Sequence, residues 1–152
     1  LLNKKGATTV DFLEEIDKQS TKDNAYKVLK QYRRYSRIAG EEYTPKITAT
    51  YTLEPKTVRN YNSGSSQTEA LVIRRVSAWN EVEAIMKAIN RIIDPTVRQI
   101  LIEKYCKWQV KKDYIIYTEL GYSESAFYRM LERGVIEFAE AYRGGELLVF
   151  SR

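Results

Sequence analysis

No histidine occurs anywhere in the sequence. The commonest general base and the commonest metal ligand are therefore missing. With a single cysteine as well, the chain cannot assemble a Cys/His zinc site. Ser-His and Cys-His nucleophile pairs are excluded on the same ground. The lone Cys106 also rules out an intramolecular disulfide and points to a reducing compartment. It follows Tyr105 in an apolar helical pattern, as a buried structural thiol does. No apolar run approaches the ~18 residues of a membrane span, so no membrane association is expected. The first residues lack the apolar core of a signal peptide. An all-carboxylate magnesium site stays chemically open. The acids, however, are scattered beside Lys and Arg as on solvated helix faces, so no cofactor and no enzymatic activity are expected.

What is present is an ordinary globular composition of 43% hydrophobic and 30% charged residues over 152 positions, with a net charge of +5. That size suits one domain, or a small domain with an arm. A modest basic excess matters only where it is concentrated.

The patterning predicts a mainly α fold in three parts. Residues 1–55 read as an N-terminal basic helix and strand region. A short amphipathic piece around Phe12, Leu13 and Ile16 comes first. A helix follows over 23–40, capped by Asp23 or Asn24 and ended by Gly40. Ile47, Ala49, Tyr51 and Leu53 then alternate with threonines, the period of a strand, and Pro55 closes it. Its partner would be the ELLVF stretch at 146–150 or a strand of a second subunit. Residues 56–69, with Ser63-Gly64-Ser65-Ser66, read as a flexible linker.

Residues 70–152 read as a domain of four helices. The first runs from about Glu69 to Ile93, with Val76, Trp79, Val82, Ile85, Met86 and Ile89 at helical spacing. Asp94-Pro95 stops it and starts the second, which carries Val97, Ile100, Leu101 and Tyr105. A basic junction of Lys104, Lys107, Lys111 and Lys112 leads into a third helix over about 112–120, with Gly121 in place to end it. Ser123 caps the fourth, which runs until Gly144-Gly145.

At about 100° per residue, Phe127, Leu131, Gly134, Phe138 and Ala141 share the core face of this fourth helix. Ser125, Tyr128, Arg129, Glu132 and Arg133 are left on its sides and outer face. Ser, Tyr and Arg contact phosphates and base edges, and a recognition helix enters the major groove with its N-terminal part leading. A tight corner between two helices is equally common in proteins that never touch DNA. Three features favour the DNA reading: the lysine junction, the basic charge, and a stripe on the N-terminal helix. That stripe consists of Lys27, Lys30, Arg34 and Arg37, with Arg33 beside it and no acid within 24–40. It is either a solvated face or a surface for DNA phosphates or RNA. Its aromatic neighbours fall on the apolar side, which disfavours base stacking.

IIDPTVRQILIEKY at 92–105 and TELGYSESAFYRMLERG at 118–134 resemble the promoter-reading C-terminal domain of bacterial sigma factors. A wider set is similar to the ArpU family of phage late-gene transcriptional regulators: KVLKQYRRYSRIAGEEYTPKITATYTLEP at 27–55, RQILIEKY at 98–105 and ELGYSESAFYRMLERGVIEFAEAYRGGELL at 119–148. The resemblance implies a sigma-like helix-turn-helix, sequence-specific binding to double-stranded DNA in the cytoplasm of a bacterial host, and activation of phage packaging and lysis genes. One position departs from the usual motif. Tyr117 stands four places before the turn glycine, where a small residue is the rule. Either the helices cross wider, or Tyr117 points outward to DNA.

The expected DNA contacts are Ser123, Ser125, Tyr128, Arg129 and Arg133 on the reader. Lys107, Lys111 and Lys112 hold the backbone, and Lys27, Lys30, Arg34 and Arg37 lie on the N-terminal helix. Two alternatives are a sigma-like factor that recruits RNA polymerase and a non-enzymatic packaging or assembly adaptor. A homodimer would present two recognition helices to half-sites about 34 Å apart.

Overall fold

The computed structural model describes residues 15–40 and 66–151. Among these residues the fold is helical: α1 (Lys18–Leu29), α2 (Tyr32–Ala39), α3 (Ser66–Asn90), α4 (Pro95–Leu101), α5 (Asp113–Leu120) and α6 (Glu124–Ala141). The strand expected at 47–53 and the residues Phe12 and Leu13 lie outside the described residues.

The N-terminal helix starts earlier than its sequence suggested. Asp17 is the cap: its carboxylate accepts from the Ser20 backbone N–H at 3.1 Å and from the Ser20 hydroxyl at 2.8 Å. Asp23 and Asn24 are occupied inside the helix instead. Asp23 accepts from the Gln19 amide, and Asn24 donates to the Leu147 carbonyl. The expected single helix is also broken. Gln31 N–H bonds to the Val28 carbonyl, three residues back, and the helix resumes at Tyr32. Gly40 ends α2 with φ +79, a conformation glycine adopts without steric cost. Arg75 of α3 closes that end by donating to the Ala39 carbonyl at 2.9 Å.

Residues 66–69, read as the end of a linker, form the first turn of α3. The first half of α3 is mostly exposed. Its burial begins at Ala78 and continues through Val82, Ile85, Met86 and Ile89, while Val76 and Trp79 are only half-buried. The helix stops at Asn90, short of the expected Ile93, which is 91% exposed. Asp94 then caps α4 by accepting from Thr96 N–H at 2.9 Å, with Pro95 in the first turn. Past Leu101 the helix widens into a π-helical turn over Ile102–Cys106, where Lys107 N–H reaches the Ile102 carbonyl five residues back. The widening buries Ile102, Glu103, Tyr105 and Cys106 within one turn.

After α6 the chain reverses through Gly144 and Gly145, both at positive φ, and runs back along α1. Val149 N–H donates to the Thr21 hydroxyl at 3.0 Å, and Asp17 N–H donates to the Val149 carbonyl at 2.7 Å. Phe150 forms an antiparallel bridge with Ile16. The ELLVF stretch is thus a strap over α1: among the described residues it pairs with Ile16, just before α1, at a single bridge.

One core unites these elements. Ala25, Leu29 and Tyr32 from α1 and α2 belong to the same buried cluster as Val82, Ile89, Ile100, Phe127 and Phe138. α1 packs on α6 and α2 on α3. The described parts of the N-terminal region and of the C-terminal region therefore share their apolar interior. Full burial of a side chain such as Phe127 or Leu29 contributes about 1.5–3 kcal/mol.

Candidate nucleic-acid interface

α5 and α6 meet across Gly121-Tyr122-Ser123. Gly121 takes φ +78, and N–H groups of the turn close on the last carbonyls of α5: Gly121 on Thr118 at 3.1 Å, Tyr122 on Tyr117 at 2.9 Å. Ser123 caps α6, its hydroxyl accepting from Ala126 N–H at 3.2 Å. Phe127, Leu131, Gly134 and Phe138 are buried, as their spacing predicted, and Ala141 is half-buried. Ser125, Tyr128, Arg129, Glu132 and Arg133 are exposed.

Tyr117 is half-buried, its ring tilted against Phe127 with centroids 5.5 Å apart. It fills the space between the two helices where a small residue was expected. Its ring is committed to that packing.

The cations divide into paired and free. Among the junction residues, Lys104 binds Asp113 at 2.5 Å and Lys107 binds Glu103. Lys111 spans Glu119 at 2.7 Å and Glu103 at 3.4 Å, and the hydrogen bond to Glu119 raises its pKa. Glu103 is 7% exposed, so its charge is held by the lysines that reach it. Lys112 is exposed and pairs with no acid among the described residues. On α6, Arg133 turns away from the first turn, binding Asp94 at 2.6 Å and Glu137 at 3.5 Å. Among the described residues Arg129 makes only a long contact to the Ser125 carbonyl, at 3.4 Å. Tyr128 donates to Asp113 at 3.0 Å, and that bond raises the pKa of its phenol. It stays 40% exposed.

On the N-terminal helices, Lys27, Lys30, Arg34 and Arg37 are all exposed, without an acidic partner among the described residues. Arg33 does not join them. It is half-buried and donates to the carbonyls of Lys107 at 2.6 Å and Lys104 at 2.9 Å, tying α2 to the end of the π-helical turn. Nothing in its sequence neighbourhood separated it from Arg34. Asp113, which gathers Lys104 and Tyr128, also carried no signal. Glu103 did: Lys107 follows it at i+4, the spacing of a helical ion pair. Around the junction Trp108, Tyr114 and Tyr122 are also exposed, with Val110 between them.

Cys106 is buried, and burial pushes its thiol well above the usual range; the Arg33 charge opposes this less strongly. Among the described residues no group of His, Cys, Asp and Glu could hold a metal ion, and no helix is long and apolar enough to cross a membrane. The described residues form a helical protein that exposes cations and aromatic rings around the junction, with Glu119, Glu124 and Glu132 exposed among them.

Comparison with known proteins gives it a family. The chain is 35% identical over 137 residues to a protein of Streptococcus phage O1205, covering 90% of this chain and 97% of that one. It is 33% identical over 141 residues to a protein of Enterococcus hirae, covering 93% and 99%. Both relatives are provisionally named autolysin regulatory protein ArpU. A phage-related protein of Listeria innocua is 28% identical over 128 residues, 82% of this chain and 87% of that protein. No family model matches the sequence, and no solved structure matches it. The chain belongs to the ArpU family. Its ArpU relatives are named as regulatory proteins, not as enzymes.

Proposed function

We propose that this chain is a sequence-specific regulator of transcription that binds double-stranded DNA through α5 and α6 as a helix-turn-helix of the sigma-like kind, and that it activates late genes of a phage. The observation that carries this reading is the first turns of α6. Ser125, Tyr128 and Arg129 stand exposed there, beyond a tight turn whose geometry is set by Gly121 and Ser123. The regulatory name of its relatives supports it.

In this reading α6 lies in the major groove with its N-terminal part leading. Arg129 is the best candidate for a base edge, because it is exposed and no acid among the described residues holds it. Tyr128 is oriented by Asp113 and reaches a neighbouring phosphate or base. Ser125 contacts the backbone from the first turn of α6, and Lys112 from the start of α5, at that helix's far end from the turn. Ser123 acts chiefly as a cap, and Arg133 and Lys107 act chiefly through their ion pairs. Arg129 and Tyr128 then set sequence preference, and Ser125 and Lys112 set orientation.

The test is selection of bound fragments from phage DNA with the full chain, then titration of the selected site by gel shift. Replacing Arg129 with Ala is expected to weaken the selected site by about 1–3 kcal/mol and to relax preference at one position. Equal affinity of R129A and the parent for the selected site, at matched salt, removes Arg129 from the reader. Failure of any fragment to be enriched removes the DNA reading.

A further inference from the structure

We infer that the exposed stripe of Lys27, Lys30, Arg34 and Arg37 on α1 and α2 is a second phosphate-holding surface beside the α5–α6 reader, and that it supplies most of the electrostatic affinity for duplex DNA. This rests on the DNA reading above and assigns the binding charge within it.

The first ground is charge. A cation gains affinity for DNA by replacing the counterions of a phosphate. Lys107 and Lys111 already hold carboxylates, including the buried Glu103, and must give up those pairs to take a phosphate. The stripe has no such cost. Its four residues are exposed, no Asp or Glu occurs between residues 24 and 40, and none of the four pairs with an acid among the described residues.

The second ground is placement. On α1, Lys22 binds Glu132 of α6 at 3.4 Å, and Lys30 lies two turns further along the same i, i+4 row, past Tyr26. Burial raises the Tyr26 pKa, and the charges of Glu132, Asp23 and Asp113 raise it further. On α2, Arg33 grips the Lys104 and Lys107 carbonyls, and Arg37 follows it by four. Lys30 and Arg37 therefore lie on the flank of α1–α2 that overlooks the junction, with Lys27 and Arg34 one step outward. Through Arg33, Lys104 and Asp113 the same flank is linked to Tyr128 of the reader.

The third ground is dimension. Ten residues separate Lys27 from Arg37 across the break at Lys30–Gln31, so the stripe spans at most about 15 Å, the length of an unbroken helix. At ~3.4 Å of duplex axis per phosphate on one strand, that length matches about four phosphates. The tyrosines of these helices are buried or half-buried, so no exposed aromatic platform accompanies the stripe. That composition suits a duplex backbone better than stacked single-stranded bases.

The experiment compares the full-length parent, K27Q/K30Q/R34Q/R37Q, the milder K30Q/R34Q, and K107Q/K111Q. Affinity is measured against salt, on a duplex of arbitrary sequence and on a selected site. Loss of four phosphate contacts is expected to flatten the slope of log K against log salt by about 3–4, and loss of two by about 2. At about 0.1 M salt the fourfold variant is expected to bind at least about a hundredfold more weakly, to both duplexes alike. K107Q/K111Q is expected to change the slope by less than about 1. An unchanged slope in both stripe variants, or a larger flattening of the slope in K107Q/K111Q that keeps the parent's circular dichroism and melting temperature, overturns the inference while the reader stands. K111Q alone, which leaves Lys107 on Glu103, is the second control. A parent without salt-dependent duplex affinity overturns both. A stripe variant that loses more affinity for single-stranded RNA than for duplex makes the stripe an RNA surface and also overturns it.

Discussion

Two glycines show how differently one residue type is used. At Gly121 the backbone needs φ +78, and an added Cβ meets nothing within 4 Å. At Gly134 the helical backbone would suit any residue, but an added Cβ would lie 2.6 Å from the Val97 Cγ1 atom. Val97 is short and stiff at χ1, so it cannot swing aside. G121A is expected to cost about 1–2 kcal/mol through left-handed strain. G134A is expected to cost about 1–3 kcal/mol by overpacking the α4–α6 contact, in spite of the better helix propensity of alanine. Urea unfolding of the two variants and of G134A/V97A separates the causes. The V97A change should recover part of the loss at Gly134, and no recovery would place that strain elsewhere. Tyr117 belongs to the same scale: a bulky ring is accommodated because it packs on Phe127.

At the scale of the element, α1 and α4 begin on aspartates whose carboxylates accept helix N–H groups. The Ser20 N–H bond lowers the pKa of Asp17, and the Thr96 N–H bond, with help from Arg133, lowers that of Asp94. Each folded-state value lies below its unfolded one. The stabilisation is therefore fully present above the ordinary Asp range and is lost as pH falls below about 4 through the folded values. The double variant D17N/D94N should show a flatter fall in melting temperature below pH 4 than the parent. A parent and variant with parallel profiles would show that these caps do not carry the acid sensitivity. The π-helical turn is the element that periodicity misses. Val97, Ile100, Leu101 and Tyr105 fit an ordinary helix, and the extra residue becomes visible only where the turn ends with Arg33 on its carbonyls.

For the whole molecule, the shared core predicts one unfolding event for the described helices. α1 and α2 bury Ala25, Leu29 and Tyr32 in the same cluster as the α6 residues Phe127 and Phe138, and the strap ties the residues after α6 to Asp17 and Thr21. Denaturant unfolding followed by tryptophan fluorescence and by far-ultraviolet circular dichroism should give coincident transitions. A separate early loss of α1–α2 helicity would contradict the single core. This shared core also sets the stripe on α1–α2 in a fixed relation to α5–α6, which the proposed phosphate surface requires.

Local chemistry was legible in the sequence. Gly40 and Gly121 as helix ends, Asp94-Pro95 and Ser123 as helix starts, and the buried face of α6 follow from caps and spacing, which depend on a few neighbouring residues. The exposure of Lys27, Lys30, Arg34 and Arg37 was legible for the same reason, since the opposite face of the helix is apolar. Everything decided by distant partners was not. Asp17, not Asp23, caps α1, at the point where the returning strap's Val149 carbonyl accepts its N–H. Arg33 left the stripe for carbonyls more than seventy residues away along the chain. Lys104 and Lys111 looked free in sequence, yet the fold brought Asp113 and Glu119 to them. A charge pattern written along a chain records where cations are; only packing decides which of them already hold an anion.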